Sequence, residues 1–273
     1  MKIFKSEGDK LSREILRVYG ADISYGGVMK LLRKKDVKLN GKRVGKDTDT
    51  AAGDEICVYD GFAVKTPRIK ILFSCADLVA AYKPKGITSE EFYEKVKTAV
   101  DKNAIFTHRL DRNTDGIMIF ALNERAYGEL YNGFKNRTFE KYYTATVYGT
   151  PKPDKARITA YLKKDSVKSE VKISATPENG YEKIITEYEV LSSDGETSVL
   201  KVGLITGKTH QIRAHMAFIG HFIIGDGKYG DERINRKYKA KYQQLTATEL
   251  IFHFAENSPL YYLNGKRIAQ GDN

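Results

Sequence analysis

Three short stretches hold the residue types from which a reaction centre could be built. The first is Thr107-His108-Arg109-Leu110-Asp111-Arg112-Asn113-Thr114-Asp115-Gly116, which runs straight into the apolar residues Ile117 to Ala121. Asp, Asn, Thr and Gly before an apolar run are ordinarily a turn leading into a buried strand. Asp111-x-Asn113-x-Asp115-Gly116 also opens like a calcium loop, with ligands at positions 1, 3 and 5 and glycine at 6. Position 12, however, is Leu122 rather than the bidentate Glu, and the residues after Gly116 read as a strand rather than a helix. Calcium is therefore disfavoured. The second stretch runs from Ser198 through Gly203, Gly207-Lys208-Thr209-His210-Gln211-Ile212-Arg213 to His215. Strand, glycine loop, Gly-Lys-Thr and helix suggest a phosphate loop. That loop needs four residues between its glycines so that backbone N–H groups can wrap a phosphate, and Gly203 and Gly207 enclose three. His210, His215 and His221 are five and six apart, a spacing that does not stack metal ligands on one helical face. The third stretch is Lys141 to Gly149, where alternation puts Tyr143, Ala145 and Val147 on one side of a strand.

The elements around these stretches set their geometry. Thr209 is expected to cap a helix that Gly220 ends, with Ile212, Met216 and Ile219 on its apolar face. Arg213 then falls on the flank of that stripe and can reach a neighbouring site. Strand-like runs are Leu78–Ala81, Ile117–Ala121, Tyr142–Tyr148, Lys183–Val190 and Ser198–Leu204; helical runs lie near Glu90–Val100, Arg125–Phe134 and Gln211–Ile219. Without regular βαβ alternation this is an α+β fold, a largely antiparallel mixed sheet. The expected organisation is a small α/β domain over residues 1–60, a linker over 61–70, a larger α+β domain over 71–258 and a C-terminal tail over 259–273, polar and frayed from Gly265 onward.

The charge balance points to polyanions. Lys and Arg number 46 against 35 Asp and Glu, a formal charge of +11 in 273 residues. Such an excess favours nucleic acid or an anionic membrane as partner. No apolar run approaches the ~18–20 residues of a membrane helix, and Met1 to Glu7 lack the apolar core of a signal peptide. Cys57 and Cys75 stand in no motif spacing, so neither a disulfide framework nor a zinc site is expected. The expected location is the cytoplasm, with no membrane partner. Lys30, Arg33, Lys34, Lys35, Lys38, Lys42, Arg43 and Lys46 are interrupted by one acid, Asp36. Leu11, Ile15 and Val18, then Val28, Leu31 and Leu32, precede or overlap that run at helical spacing. Asn40-Gly41 marks a hairpin turn inside it. A second basic run holds Arg233, Arg236, Lys237, Lys239 and Lys241, interleaved with Tyr238 and followed by Tyr242. It fits either a solvated loop or an RNA edge.

Two resemblances sharpen this reading. Gly27 to Leu32, Asp36 to Val44 and Gly53-Asp54-Glu55-Ile56 resemble the alpha-L RNA-binding motif, in which a helix and a hairpin present basic side chains to structured RNA. Lys83-Pro84-Lys85-Gly86, His108-Arg109-Leu110-Asp111 with Thr114 and Gly116, Lys141-x-Tyr143-x-Ala145-x-Val147-x-Gly149, and Gly207-Lys208-Thr209-His210-Gln211-Ile212-Arg213-x-His215 resemble the RluA-type RNA pseudouridine synthases, from about Leu72 to about Phe254. The likeness continues through Gly225-Asp226 and Tyr229-Gly230. One departure is Asp115, where the family usually has Ser. The resemblance implies a uridine isomerase with no cofactor and no metal, acting on RNA, with large-subunit ribosomal RNA preferred over transfer RNA; a monomer is expected. It implies Asp111 as nucleophile, Arg213 as its partner and Tyr143 as the residue packing on uracil and serving proton transfer. Arg109 is implied to fill the place of the flipped base, and His108, Thr114, Lys83, Lys141, Lys208, His210 and Gln211 to line the substrate site. A catalytically silent RNA-binding or ribosome-assembly factor would share every basic feature but would not need Asp111, Tyr143 and Arg213 together.

Overall fold

A computed structural model describes residues 1–20, 23, 25–59, 69–165 and 169–270. The chain divides into two compact units, residues 1–68 and 69–273. Most of the expected linker lies outside the described residues.

In the first unit, β1 (Lys2–Lys5), α1 (Leu11–Tyr19), α2 (Tyr25–Arg33), β2 (Val37–Leu39), β3 (Lys42–Val44) and β4 (Glu55–Val58) follow in order. The strands pair antiparallel as β1-β4-β2-β3. Leu11, Ile15 and Tyr19 of α1 meet Val28, Leu31 and Leu32 of α2 over Val37, Ile56 and Val58. Tyr19 thus takes the buried place expected for Val18, which is half-buried. Asn40 and Gly41 both have positive φ (49° and 79°) between the paired Leu39 and Lys42. This is the two-residue hairpin that an Asn-Gly dipeptide favours.

The second unit is built on one sheet. Its strands are β5 (Ile71–Ser74), β6 (Leu78–Lys83), β7 (Ile105–Phe106), β8 (Asp115–Ala121), β9 (Glu140–Tyr148), β10 (Lys155–Asp165), β11 (Glu170–Ser174), β12 (Glu182–Ser193), β13 (Thr197–Leu204), β14 (Leu245–Ile251) and β15 (Arg267–Ala269). The order is β11-β10-β12-β13-β9-β14-β8-β6-β5, with β15 on β14 and β7 on β8. Among the described residues, all pairings are antiparallel except β14 with β8. The helices are α3 (Ser89–Ala99), α4 (Glu124–Asn136), α5 (Gln211–Phe218) and α6 (Glu232–Lys237). One face of the sheet packs Tyr143, Ala145, Val147, Leu200 and Val202 against Ile212 and Met216 of α5. The other face packs Ile117, Ile119 and Leu250 with Leu130 of α4 and Phe139.

Two glycines allow backbone segments to approach where a side chain would not fit. A β-carbon on Gly116 (φ +116°) would stand 2.1 Å from the Ala247 carbonyl, where β8 runs parallel to β14. One on Gly225 (φ +80°) would stand 2.2 Å from the Tyr242 carbonyl. Both positions demand glycine for space and for conformation.

The expected frayed tail needs correction. Leu260, Leu263, Ile268 and Ala269 are buried and β15 pairs with β14, so the segment up to Ala269 belongs to the folded unit. Its apolar residues are too few and too spread to signal a strand in sequence. The expected cap of α5 is also displaced. Helix α5 begins at Gln211, and its N-cap is His210 in the left-handed conformation (φ 54°, ψ 16°) with no side-chain cap bond. At its other end Gly220 has φ 87°, and the His221 N–H returns to the Met216 carbonyl.

Candidate active site

The loop between β7 and β8 carries Asp111 and is braced from several sides. The buried Ser89 hydroxyl, at the start of α3, donates to the Leu110 carbonyl (2.8 Å) and accepts from the Leu110 N–H (2.9 Å). Helix α3 is itself fixed by a capping box between Thr88 and Glu91. The Lys83 ammonium, wholly buried, donates to the carbonyls of Pro84, Ile87 and Arg112 at 2.9–3.1 Å. Burial pulls its pKa down to about 8. Thr114, also buried, accepts from Gln243 Nε2 at 2.6 Å. The resemblance implies that Lys83 and Thr114 line the substrate site; in the structure both hold the loop in shape.

Asp115 turns into the sheet. Its carboxylate accepts from the hydroxyls of Tyr82 (2.6 Å) and Thr246 (2.7 Å) and lies 3.7 Å from Lys85 Nζ. The extra charge at this position is thereby committed to β6 and β14.

Helix α5 brings Arg213 to the loop. Its Nη1 donates to Asp111 Oδ2 at 2.9 Å, while Nε and Nη2 grip Asp226 at 2.7 and 2.9 Å. The Asp226 side chain is fully buried and also accepts the N–H groups of Lys228 and Tyr229. Burial opposes both charges. The fork of hydrogen bonds outweighs it, holding the Arg213 pKa above and the Asp226 pKa below their ordinary values. Arg213 is therefore a fixed, permanently charged partner for Asp111, whose side chain remains a quarter exposed at 26%. Sequence reasoning gives Asp226 no role beyond its place in the resemblance. Its signal there is a lone acid among Ile223, Ile224, Gly225 and Gly227.

His210 approaches the same carboxylate, with Nε2 3.9 Å from Asp111 Oδ2. Its Nδ1 lies 2.9 Å from the Tyr229 hydroxyl, whose oxygen accepts the Val171 N–H. Assigning the hydroxyl hydrogen to Nδ1 satisfies the whole chain and leaves the hydrogen of a neutral His210 on Nε2, facing Asp111. Burial lowers the His210 pKa against the raising effect of Asp111, which favours the neutral ring. Tyr143 is buried, and burial followed by the charge of Asp111 raises the pKa of its phenol.

The remaining expected site residues divide. His108 accepts the Ile119 N–H on Nε2 (3.0 Å), its ring lies 4.2 Å from that of Phe134, and burial pushes its pKa to about 3. Gln211 is buried, bonded to Thr206, Thr186 and the Ile185 carbonyl. Both are packing and bonding residues of the fold. Arg109 is exposed, 3.6 Å from Glu90, and Lys208 pairs with Glu182. Lys141 stands on β9 two residues from Tyr143. A cavity of about 20 Å³ beside Tyr143 is lined by His108, Lys141 and Leu250 but not by Asp111 or Arg213. It has room for a water and none for a base.

Residues 77–218, which include Asp111, Tyr143 and Arg213, match the family described as RNA pseudouridylate synthase. The chain belongs to that family. It is an RNA pseudouridine synthase, an isomerase. A ribosomal large subunit pseudouridine synthase C of Rickettsia bellii is 28% identical, over 89% of this chain and 89% of that protein. An uncharacterized RNA pseudouridine synthase of Mycobacterium bovis is 30% identical, over 90% of this chain and 86% of its own length. Among solved structures, the human RNA pseudouridylate synthase domain containing 1 superposes with a TM-score of 0.61 at 22% identity, covering 76% of this chain and 90% of that one. That likeness bears on the fold, an α+β unit with a large, mostly antiparallel sheet. Among the described residues no helix of the synthase is long and apolar enough to cross a membrane.

Proposed function

We propose that this synthase converts specific uridines of large-subunit ribosomal RNA to pseudouridine, with Asp111 as nucleophile and Arg213 as its permanent counter-charge. The reading is carried by one observation: the Asp111 carboxylate sits 2.9 Å from a guanidinium that Asp226 holds from behind. A carboxylate so paired has its counter-charge fixed beside it while it attacks and then leaves, as a covalent catalyst must. The reaction breaks the bond from the uracil nitrogen to the ribose and rejoins the base through a ring carbon, whose hydrogen departs as a proton while the freed nitrogen takes one up. Atoms balance without oxidant, reductant or water. His210, neutral and donating from Nε2, offers Asp111 a second donor as its charge changes. Tyr143 supplies a buried ring to pack on the extruded base. Its raised pKa means that the hydroxyl keeps its proton, so it can take the ring-carbon proton only by passing its own onward. Extrusion from a stack costs a few kcal/mol, and the exposed Arg109 beside the nucleophile is free to fill the vacated place.

The first unit is proposed as an alpha-L type RNA-binding domain that delivers the substrate. Supporting this, Lys30, Arg33, Lys34, Lys35, Lys38, Lys42, Arg43 and Lys46 make no ion pair with a carboxylate among the described residues. Glu7, Asp9, Glu14, Asp49 and Glu55 of the unit pair instead with Lys5, Lys10, Arg13 and Arg17. Large-subunit ribosomal RNA is named for the Rickettsia relative, and it offers the structured polyanion that such a face requires. Mapping pseudouridines by carbodiimide-dependent primer stops, in cells with and without the gene, tests the substrate. A stop lost from large-subunit RNA supports it, and losses confined to transfer RNA overturn it.

A further inference from the structure

We propose that Lys141, with Arg137 beside it, forms a subsite for one backbone phosphate of the RNA at the edge of the active site. The proposal rests on the reading of this unit as a uridine isomerase and adds a residue-level contact to it. Alternation along β9 puts Lys141 on the same side as Tyr143. Its stem passes the small cavity beside Tyr143, and a β-carbon on the exposed Gly207 would stand 3.5 Å from its Nζ. The ammonium therefore ends next to the loop that leads through Lys208 to His210 and Asp111.

This cation is placed differently from the others near the site. Lys83 is saturated by three carbonyls and Arg213 by two carboxylates. The Lys141 side chain makes no hydrogen bond or ion pair among the described residues. Burial lowers its pKa, the charge of Arg137 lowers it further, and no carboxylate opposes them. Glu249 lines the same cavity, but its carboxylate is turned to Arg267 (2.9 Å) and Lys201 (3.9 Å). Arg137, exposed in the left-handed position that ends α4, adds a second positive charge with no acid paired to it among the described residues. A half-buried ammonium with no counter-ion weakens the fold, so the arrangement is complete only when an anion arrives. Uracil is neutral and does not supply that anion. The nucleotide chain carries a phosphate at every step, and extruding one uridine brings its flanking phosphates against the protein.

The test uses the full chain with Lys141→Met and Lys141→Arg, and an unmodified stem-loop of large-subunit ribosomal RNA. Lys141→Met removes an unpaired charge, so it should melt at or above the wild-type temperature. Its slope of log affinity against log salt should fall by about 0.7–0.9, the share of one phosphate, while Lys141→Arg keeps the wild-type slope. A scan of single methylphosphonate linkages should find one position that weakens wild-type binding and leaves Lys141→Met unaffected. A clear drop in melting temperature for Lys141→Met, a wild-type slope, or the same scan for both proteins would each overturn the subsite. Tritium release by the wild type is read separately. Its absence counts against uridine isomerisation, whereas the slope and the scan decide the phosphate contact.

Discussion

The two lysine- and arginine-rich runs of this chain look alike in composition and differ in the company they keep. Around α6, Arg233 lies 3.2 Å from Asp231, Arg236 pairs with Glu232 one helical turn away, and Lys237 pairs with Glu196, to which Tyr238 also donates. In the first unit the run from Lys30 to Lys46 has no such partners among the described residues. Lys38 and Arg43 instead lie over the Tyr59 ring, at 5.1 and 5.6 Å. A phosphate meets the full charge of the first run and only the remainder of the second. Counting basic residues therefore measures sign, and the acids folded against them decide availability.

On the proposed reading RNA affinity belongs to the first unit and chemistry to the second, and this contrast can be broken at either end. After the loss of Asp111 itself, the largest effect is expected from Tyr143→Phe, which keeps the ring and removes the hydroxyl. If that hydroxyl relays the proton, turnover falls by roughly 10²–10⁴-fold at little change in KM. Single-turnover kinetics at saturating RNA would show it, and near-normal turnover would leave Tyr143 as packing alone. Deleting residues 1–60 should do the opposite, raising KM for structured RNA by on the order of 100-fold while turnover at saturation changes less. An unchanged salt dependence would remove the first unit from RNA binding.

Smaller effects separate the two runs directly. Replacing Lys34, Lys35, Lys38 and Arg43 by Gln should lower the salt slope by about 0.7–0.9 for each phosphate the protein no longer neutralises. Replacing Arg233, Arg236 and Lys237 by Gln should change affinity only a few-fold, because exposed ion pairs already hold them. Equal falls for the two variants would erase the distinction. The least effect on binding, and a clear one on folding, is expected from the buried histidines. His215 and His108 have pKa values pushed by burial to about 4 and about 3. The unfolded chain binds those protons near pH 6.5, so stability is fully present above that pH and is lost as pH falls towards 4 and 3. The slope approaches about 1.4 kcal/mol per pH unit for each histidine. His108→Gln, which keeps an acceptor for the Ile119 N–H, should flatten part of it in urea melts across that range.

Strands with unbroken alternation, β9 and β13 above all, were legible in the sequence, as were α3, α4 and α5. The hairpin of β10 and β11 was not. Lys155–Asp165 mixes charged and small residues because one of its faces is exposed, and its apolar positions alone do not exceed what a loop shows. β14 and β15 were missed for a related reason, since partners distant in sequence make them strands. At the site, Asp111 and Arg213 stood out by resemblance, and the flank position expected of Arg213 agrees with its reach to Asp111. Asp226, Tyr229 and Gln243 act through other residues, and only packing reveals such roles. The left-handed His210 was equally hidden, because its conformation follows from the Gln211 side chain that accepts the Lys208 N–H and from the Tyr229 hydroxyl.

Tritium release tests the role of Asp111 most directly. RNA labelled at the uracil carbon that becomes the new glycosidic position loses its label only if the base is detached and rejoined. Asp111→Asn keeps the shape of the side chain and its place beside Arg213 but removes the charge proposed to attack. The expected result is no release above background, with RNA affinity and melting temperature close to wild type. Release at the wild-type rate from Asp111→Asn would contradict the assignment of this site.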